Sequence, residues 1–242
     1  MKIIDKSLNY GRHLIHQFAV NQPANALILD LGAGHGDDLL IFKHNNPSSR
    51  LHAVECYPPY IKDLEAHQIV VHNLNIERDV LPFDAESVDV VICNQILEHC
   101  KEVWWILHEI SRVLKVGGHI VIGVPNLASL HNRLLLVLGE QPTSIQNNSA
   151  HVRGYTKKDV LKLLVNASDN SYVLADFGGS NFYPFPPALA KPLARFFPTM
   201  AWAIFFKLRK QKAYHDSFLR YPLERRLETN FFLGKAMTQG LP

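Results

Sequence analysis

From Ala26 to about Phe177 the chain alternates short runs rich in Leu, Ile and Val with amphipathic stretches of helical period. Few folds accept that pattern: a parallel strand reaches its neighbour only through a crossover of about a dozen residues or more, and a helix laid on the sheet supplies it. The runs Ala26–Leu31, Leu51–Glu55, Ile69–His72, Ser87–Cys93, His119–Val124 and Tyr172–Phe177 read as strands, several apolar enough to be covered on both faces. Between them Asp37–His44, Pro58–His67, Lys101–Leu114 and Thr156–Val165 carry helical signals, the last opening on Thr156 with Asp159 in a capping-box-like start. Asn230–Met237 (NFFLGKAM) reads as one more strand. The fold class is α/β.

The chain has 242 residues, 47% of them hydrophobic, which is enough for one sizeable core. A net charge of +3 does not mark a nucleic-acid binder, and none is expected as a partner. The balance is uneven: from Phe182 onward ten Lys and Arg face three Asp and Glu, leaving the preceding part acidic. One domain spans 1–242, with a core at about 24–179 plus a last strand at 229–238, and 180–228 reads as an insertion or small subdomain. Cys56, Cys93 and Cys100 form no paired framework and suit reduced thiols in a cytoplasmic protein. The first residues lack the apolar stretch of a secretory signal, and Phe196–Phe206 is about half the roughly 20 residues of a membrane span.

The strongest chemical signal is Leu29-Asp30-Leu31-Gly32-Ala33-Gly34-His35-Gly36, where the first strand ends and a helix begins. Glycines there permit a tight turn and let backbone N–H groups approach a ligand at the positive end of a helix. Nucleotide binding follows. The glycines fall at 32, 34 and 36 behind an acidic residue, unlike the G-x-G-x-x-G of dinucleotide enzymes, which disfavours a nicotinamide-dependent oxidoreductase.

This segment resembles motif I of the class I S-adenosylmethionine-dependent methyltransferases, in particular their type 11-like domain. Further blocks follow in that family's order. Glu55 ends the second strand in HAVECYPP; Asn73–Phe83 resembles D-x-E-x-x-x-L-P-F with Asn75 where Asp is common; Val88–His99 resembles the FDVV…LEH block; and Glu109–Gly118 resembles E-x-x-R-V-L-K-P-G-G with Val116 for Pro. The resemblance covers roughly residues 24–166. It implies a Rossmann-like seven-stranded methyltransferase sheet with helices on both faces, six strands parallel and the last antiparallel, and a late hydrophobic and basic insertion before that last strand. It also implies S-adenosylmethionine as cofactor, with Asp30, Gly32, Ala33, Gly34 and Gly36 around its methionine and ribose, Glu55 at the ribose hydroxyls, Asn75 at the adenine, Asn94 and Gln95 beside the transferable methyl group, and Cys56 and Ile76 also among the cofactor-binding residues.

Methyl transfer from a sulfonium needs no metal and often no strong base, because in-line positioning supplies much of the rate. For a hydroxyl acceptor a general base helps, and His99 is the first candidate. The alternative is that Glu98 and His99 only cap the next helix. His151 and Tyr155 lie where this family commonly closes the acceptor pocket, and are expected there with His99; surface or packing roles are the other reading. Thirteen histidines show no HExxH or Cys/His ligand set, so no metal site is expected.

Residues 182–212 mix aromatics, prolines, Lys and Arg. Such a segment suits either peripheral contact with the inner face of a membrane or a hydrophobic subdomain over the acceptor pocket. The expected function is methyl transfer to a small-molecule or lipid- or saccharide-linked acceptor. The second reading is a non-catalytic module of the same fold that binds a partner or is recruited to a membrane.

Overall fold

The apolar runs pair side by side in one sheet, as a computed structural model describing residues 5–227 and 230–234 shows. The strands are β1 (Leu27–Leu31), β2 (Arg50–Val54), β3 (Val70–His72), β4 (Val88–Asn94), β5 (Leu114–Pro125), β6 (Tyr172–Ser180) and β7 (Ala203–Lys210). Their order is β3-β2-β1-β4-β5-β7-β6. The first five are parallel, and β7 runs antiparallel to both β5 and β6. The α/β class, the seven strands and the single reversed strand are those the resemblance implies.

The helices are α1 (Arg12–Phe18), α2 (Asp37–Asn45), α3 (Pro58–Ala66), α4 (Val103–Val113), α5 (Leu130–Val137), α6 (Lys157–Leu161), α7 (Pro187–Phe196) and α8 (Ser217–Glu224). Local chemistry sets several starts. Pro58 and Pro59 occupy the first turn of α3, where a missing N–H costs nothing. Ser129 accepts the Asn132 N–H of α5, and Thr156 accepts the Asp159 N–H of α6. The helix expected over Thr156–Val165 is α-helical only to Leu161 and widens into a π turn at Lys162–Asn166.

Side chains alternate across the sheet, so the two faces bury different sets. Leu27, Leu29 and Leu31 of β1 pack with Trp105, Ile106 and Ile110 of α4. Ile28 joins Phe18 of α1, Leu39 and Phe42 of α2 and Phe205 of β7 on the opposite face. Asp30 has the parity of Ile28, which carries its carboxyl to the α1 and α2 side. Because β1 lies between β2 and β4, the crossovers leave it in opposite directions, and a crevice opens at the carboxyl ends of these strands.

Two expectations about the late segment are corrected. The reversed strand is Ala203–Lys210, inside the region read as an insertion, and the connection before it is limited to 181–202. Its Ile204, Phe205, Phe206 and Leu208 are fully buried between β5 and β6, so they are not available to a membrane surface. The expected strand Asn230–Met237 is not in the sheet where it is described. Phe231 and Phe232 pack on Trp104 and Trp105, and the Phe232 N–H donates to Glu102 at 2.7 Å. Residues 235–238 lie outside the described residues. The exposed apolar side chains among the described residues include those of α7 and its end (Leu189, Phe196, Phe197) and of α5 and its end (Leu134, Leu136, Val137, Leu138).

The burial contrast predicts the response to truncation. Phe206→Ala should lower the unfolding free energy by about 3–5 kcal/mol, whereas Phe196→Ala should change it by about 0.5 kcal/mol or less. Equal effects in urea titration would place β7 wrongly.

Candidate active site

The turn after β1 is tied to the end of β2 through one side chain. Glu55 Oε2 accepts the Gly34 N–H at 3.0 Å, while Oε1 accepts the N–H groups of Cys56 and Tyr57 at 2.8 and 2.9 Å. The Gly32 N–H donates to Val54 O at 2.8 Å, so turn and strand close on each other twice. Gly32 and Gly34 both have left-handed φ, 72° and 55°. A Cβ at Gly32 would strike Ile96, whereas one at Gly34 would meet open space, because Gly34 faces a cavity. Gly36 serves differently from the expectation: it does not line the cavity, and a Cβ there would run into Leu64 and Ile69 beneath α2.

That cavity has a volume of about 2260 Å³ and sits at the crevice. Single small-ligand pockets span about 300–1,000 Å³, so there is room for a cofactor and a second molecule. Asp30, Gly32, Ala33, Gly34, Glu55, Cys56, Asn75, Ile76, Asn94 and Gln95 line it, as do His99 and His151.

Three acids crowd its floor. Asp30 is 3% exposed, and its side chain accepts no hydrogen bond from the described residues. Burial, and then the neighbouring Asp38, hold its carboxyl well above the usual carboxylate range, with Glu55 adding to the effect and Arg12 opposing it. Asp38 is raised as well, again mainly by burial, although the Arg12 guanidinium and the Asn94 side-chain amide both donate to it. Arg12 also pairs with Asp37 at 2.8 Å, and Asn94 Nδ2 donates to Tyr10 O at 3.0 Å. The segment from Lys6 through α1 thereby forms a wall of the cavity. Sequence reading missed Tyr10, Arg12 and Asp38, because only the fold brings them to Asn94.

Asn75 Oδ1 already accepts the Glu77 N–H at 3.0 Å, and Asn75 lines the cavity. Gln95 has a left-handed φ of 57°, held by its N–H to Gly123 O at 2.8 Å. Asn94 Oδ1, Gln95 Nε2 and Glu98 Oε2 are buried without a hydrogen-bond partner among the described residues. All three belong to cavity-lining residues, as expected of a wall built to meet a polar ligand.

His99 and His151 meet edge to face, ring centroids 4.7 Å apart. His99 Nδ1 lies 3.2 Å from Ala150 O and His151 Nδ1 lies 2.8 Å from Ser144 O. A carbonyl only accepts, so in both rings Nδ1 carries the proton and Nε2 the lone pair. Burial lowers His99 below the usual imidazole value, keeping it neutral at pH 7. Beneath them Glu98 is 1% exposed, and burial pushes its carboxyl up to about 8. Tyr155 is not at this site: it is buried and donates its hydroxyl to Leu97 O at 3.2 Å, bracing the turn that carries Glu98 and His99. Arg153 likewise binds the carbonyls of Cys100 and Lys101.

Fold and site together define a Rossmann-like domain whose glycine turn opens on a large cavity with an acidic floor. Residues 29–122 match the family model described as a methyltransferase domain. Over this stretch the chain is similar to S-adenosylmethionine-dependent methyltransferases. A ubiquinone biosynthesis O-methyltransferase of Xanthomonas axonopodis pv. citri is 27% identical over 110 residues, covering 43% of this chain and 45% of that protein. The chain spans less than half the length of the curated relatives it matches. Among solved structures, Burkholderia thailandensis 1,6-didemethyltoxoflavin-N1-methyltransferase, with S-adenosylhomocysteine bound, aligns at a TM-score of 0.57 and 18% identity, covering 86% of this chain and 80% of that one. The cyclase SpnF aligns at 0.59 and 14%, covering 84% and 81%. At these identities the likeness is one of fold.

The raised Asp30 carboxyl makes a stability prediction. Above the ordinary carboxylate range the unfolded chain sheds this proton while the folded chain keeps it, so Asp30 costs stability progressively as pH rises toward its folded value. Asp30→Asn should therefore stabilise the ligand-free protein at neutral pH, and by less near pH 4. Thermal melts at both pH values check it; a variant less stable than the parent at pH 7 would contradict it.

Proposed function

We propose that the protein transfers a methyl group from S-adenosylmethionine to a small-molecule or lipid-linked acceptor. The observation that carries this reading is the acidic floor of the cavity: Asp30 buried without a donor, with Asp38 and Glu55 beside it. Such a floor favours a ligand bearing positive charge, as the ammonium and sulfonium groups of S-adenosylmethionine do, and repels the diphosphate of a dinucleotide. Fold likeness alone is a weaker argument, since SpnF is described as a cyclase.

The residues have separable tasks. Gly34 leaves its side of the turn open for the cofactor, and Asp30 offers a carboxylate to the ammonium group. Glu55 accepts three backbone N–H groups and, with room for about four hydrogen bonds on a carboxylate, keeps capacity for a ribose hydroxyl. When bound, the sulfonium supplies an electrophilic methyl: the acceptor's lone pair forms the new bond as the carbon–sulfur bond breaks, and that electron pair stays on sulfur. For a hydroxyl acceptor the lone pair on His99 Nε2 takes the proton released. Phe196 supports the lipid-linked reading, because it lines the cavity while remaining 75% exposed on α7, next to Arg195. No helix among the described residues is long and apolar enough to cross a membrane.

The test is turnover: protein, S-adenosylmethionine and a panel of hydroxyl, amine and prenyl-chain acceptors, read by mass spectrometry for a methylated product and an equal amount of S-adenosylhomocysteine. Cofactor binding with no turnover across the panel would favour a non-catalytic module. Glu55→Ala should weaken S-adenosylhomocysteine binding by about 1.5–3 kcal/mol, measured by calorimetry; unchanged affinity in a folded variant removes Glu55 from the site.

A further inference from the structure

We propose that Glu98, His99 and His151 form a binding site for one divalent transition-metal ion, of the zinc class, at the acceptor end of the cavity. One ligand atom from each residue lies within 4.8 Å of the others. Ligands on a tetrahedral zinc ion with bonds of about 2.0–2.2 Å sit roughly 3.4 Å apart, so small side-chain rotations close the set. Backbone hydrogen bonds bring its members together. Glu98 and His99 share the single turn after β4, and the loop carrying His151 is clamped onto that turn by the N–H groups of Val152 and Arg153, both donating to Glu98 O at 2.8 and 3.2 Å.

The donor chemistry is that of a metal site. Both imidazoles use Nδ1–H on a backbone carbonyl, the outer hydrogen bond that fixes ring and tautomer in metal-binding histidines and leaves Nε2 as the ligand atom. Glu98 supplies an oxygen that is buried and has no hydrogen-bond partner among the described residues. A cation satisfies that oxygen where no protein donor does. Two imidazoles and one carboxylate suit zinc, iron, cobalt or nickel better than magnesium or calcium, which prefer all-oxygen sets. All three residues line the cavity, so a fourth position on the ion faces the space left for the acceptor.

The use of such an ion rests on the methyl-transfer reading, whereas its binding does not. Bound there, a hydroxyl oxygen of the acceptor is oriented and gives its proton to water more readily, and His99 then serves as a ligand while the metal replaces it as the means of activation.

The experiment is titration of the chelator-stripped full chain with zinc chloride by calorimetry and with cobalt chloride by visible absorption, without S-adenosylmethionine. The expected result is one equivalent bound, with cobalt bands of four- or five-coordinate intensity. Glu98→Gln and His151→Asn should each weaken zinc at least tenfold. His72→Asn, which breaks the other close imidazole pair, His52 with His72 at 3.1 Å, should leave affinity unchanged. No binding, binding insensitive to both site substitutions, or binding lost with His72→Asn overturns the site. Should Glu98→Gln not fold, His151→Asn in its surface loop decides alone. Separate calorimetry with S-adenosylmethionine tells failure of the metal site from failure of the methyl-transfer reading.

Discussion

A carboxyl group buried at the end of a central strand without a hydrogen-bond donor is a standing cost to the folded chain, and the rest of the site is arranged around Asp30. Asp38 and Glu55 increase the cost by adding negative charge, and Arg12, whose donors go to Asp37 and Asp38, offsets it only in part. Burial of like charges without compensation is what an interior selected for stability alone avoids. Glu55 meanwhile ties the Gly34 N–H of the glycine turn to the Cys56 and Tyr57 N–H groups after β2, so turn and strand end are held together before any ligand arrives.

The fold supplies that floor at small structural expense. Parallel strands bring β1, β2 and β4 to a common edge, and the order around β1 leaves the edge uncovered. The wall opposite is built late in the chain. β7 inserts between β5 and β6, and the connection before it returns α7 to the cavity, which Arg195 and Phe196 line. A third, smaller hydrophobic cluster of Phe182, Ala190, Ala194 and Ala201 anchors this connection.

The residues expected to hold a cofactor were readable in sequence because the features that mark them are local: a glycine turn, an acid at the next strand end and a succession of short blocks. Nearly every residue so identified lines the cavity; Gly36, used for packing, is the exception. The acceptor half was not, because it depends on distant pairs. His151 reaches His99 only through a loop hydrogen-bonded to Glu98, and no spacing rule shows that. Tyr155 fell in the right loop but turns inward to Leu97. The late strand was misplaced for a different reason: Ile204–Leu208 is apolar on both faces, a pattern shared by central strands and interfacial segments, while NFF offered the more obvious β-rich run.

The measurement that bears most directly on the acidic floor is calorimetric titration of the purified chain with S-adenosylmethionine, with NADH as the control. Saturable one-to-one binding of the first and none of the second is the predicted result. Heat from NADH, or none from S-adenosylmethionine with a folded sample, would contradict the assignment of the floor to a cationic cofactor.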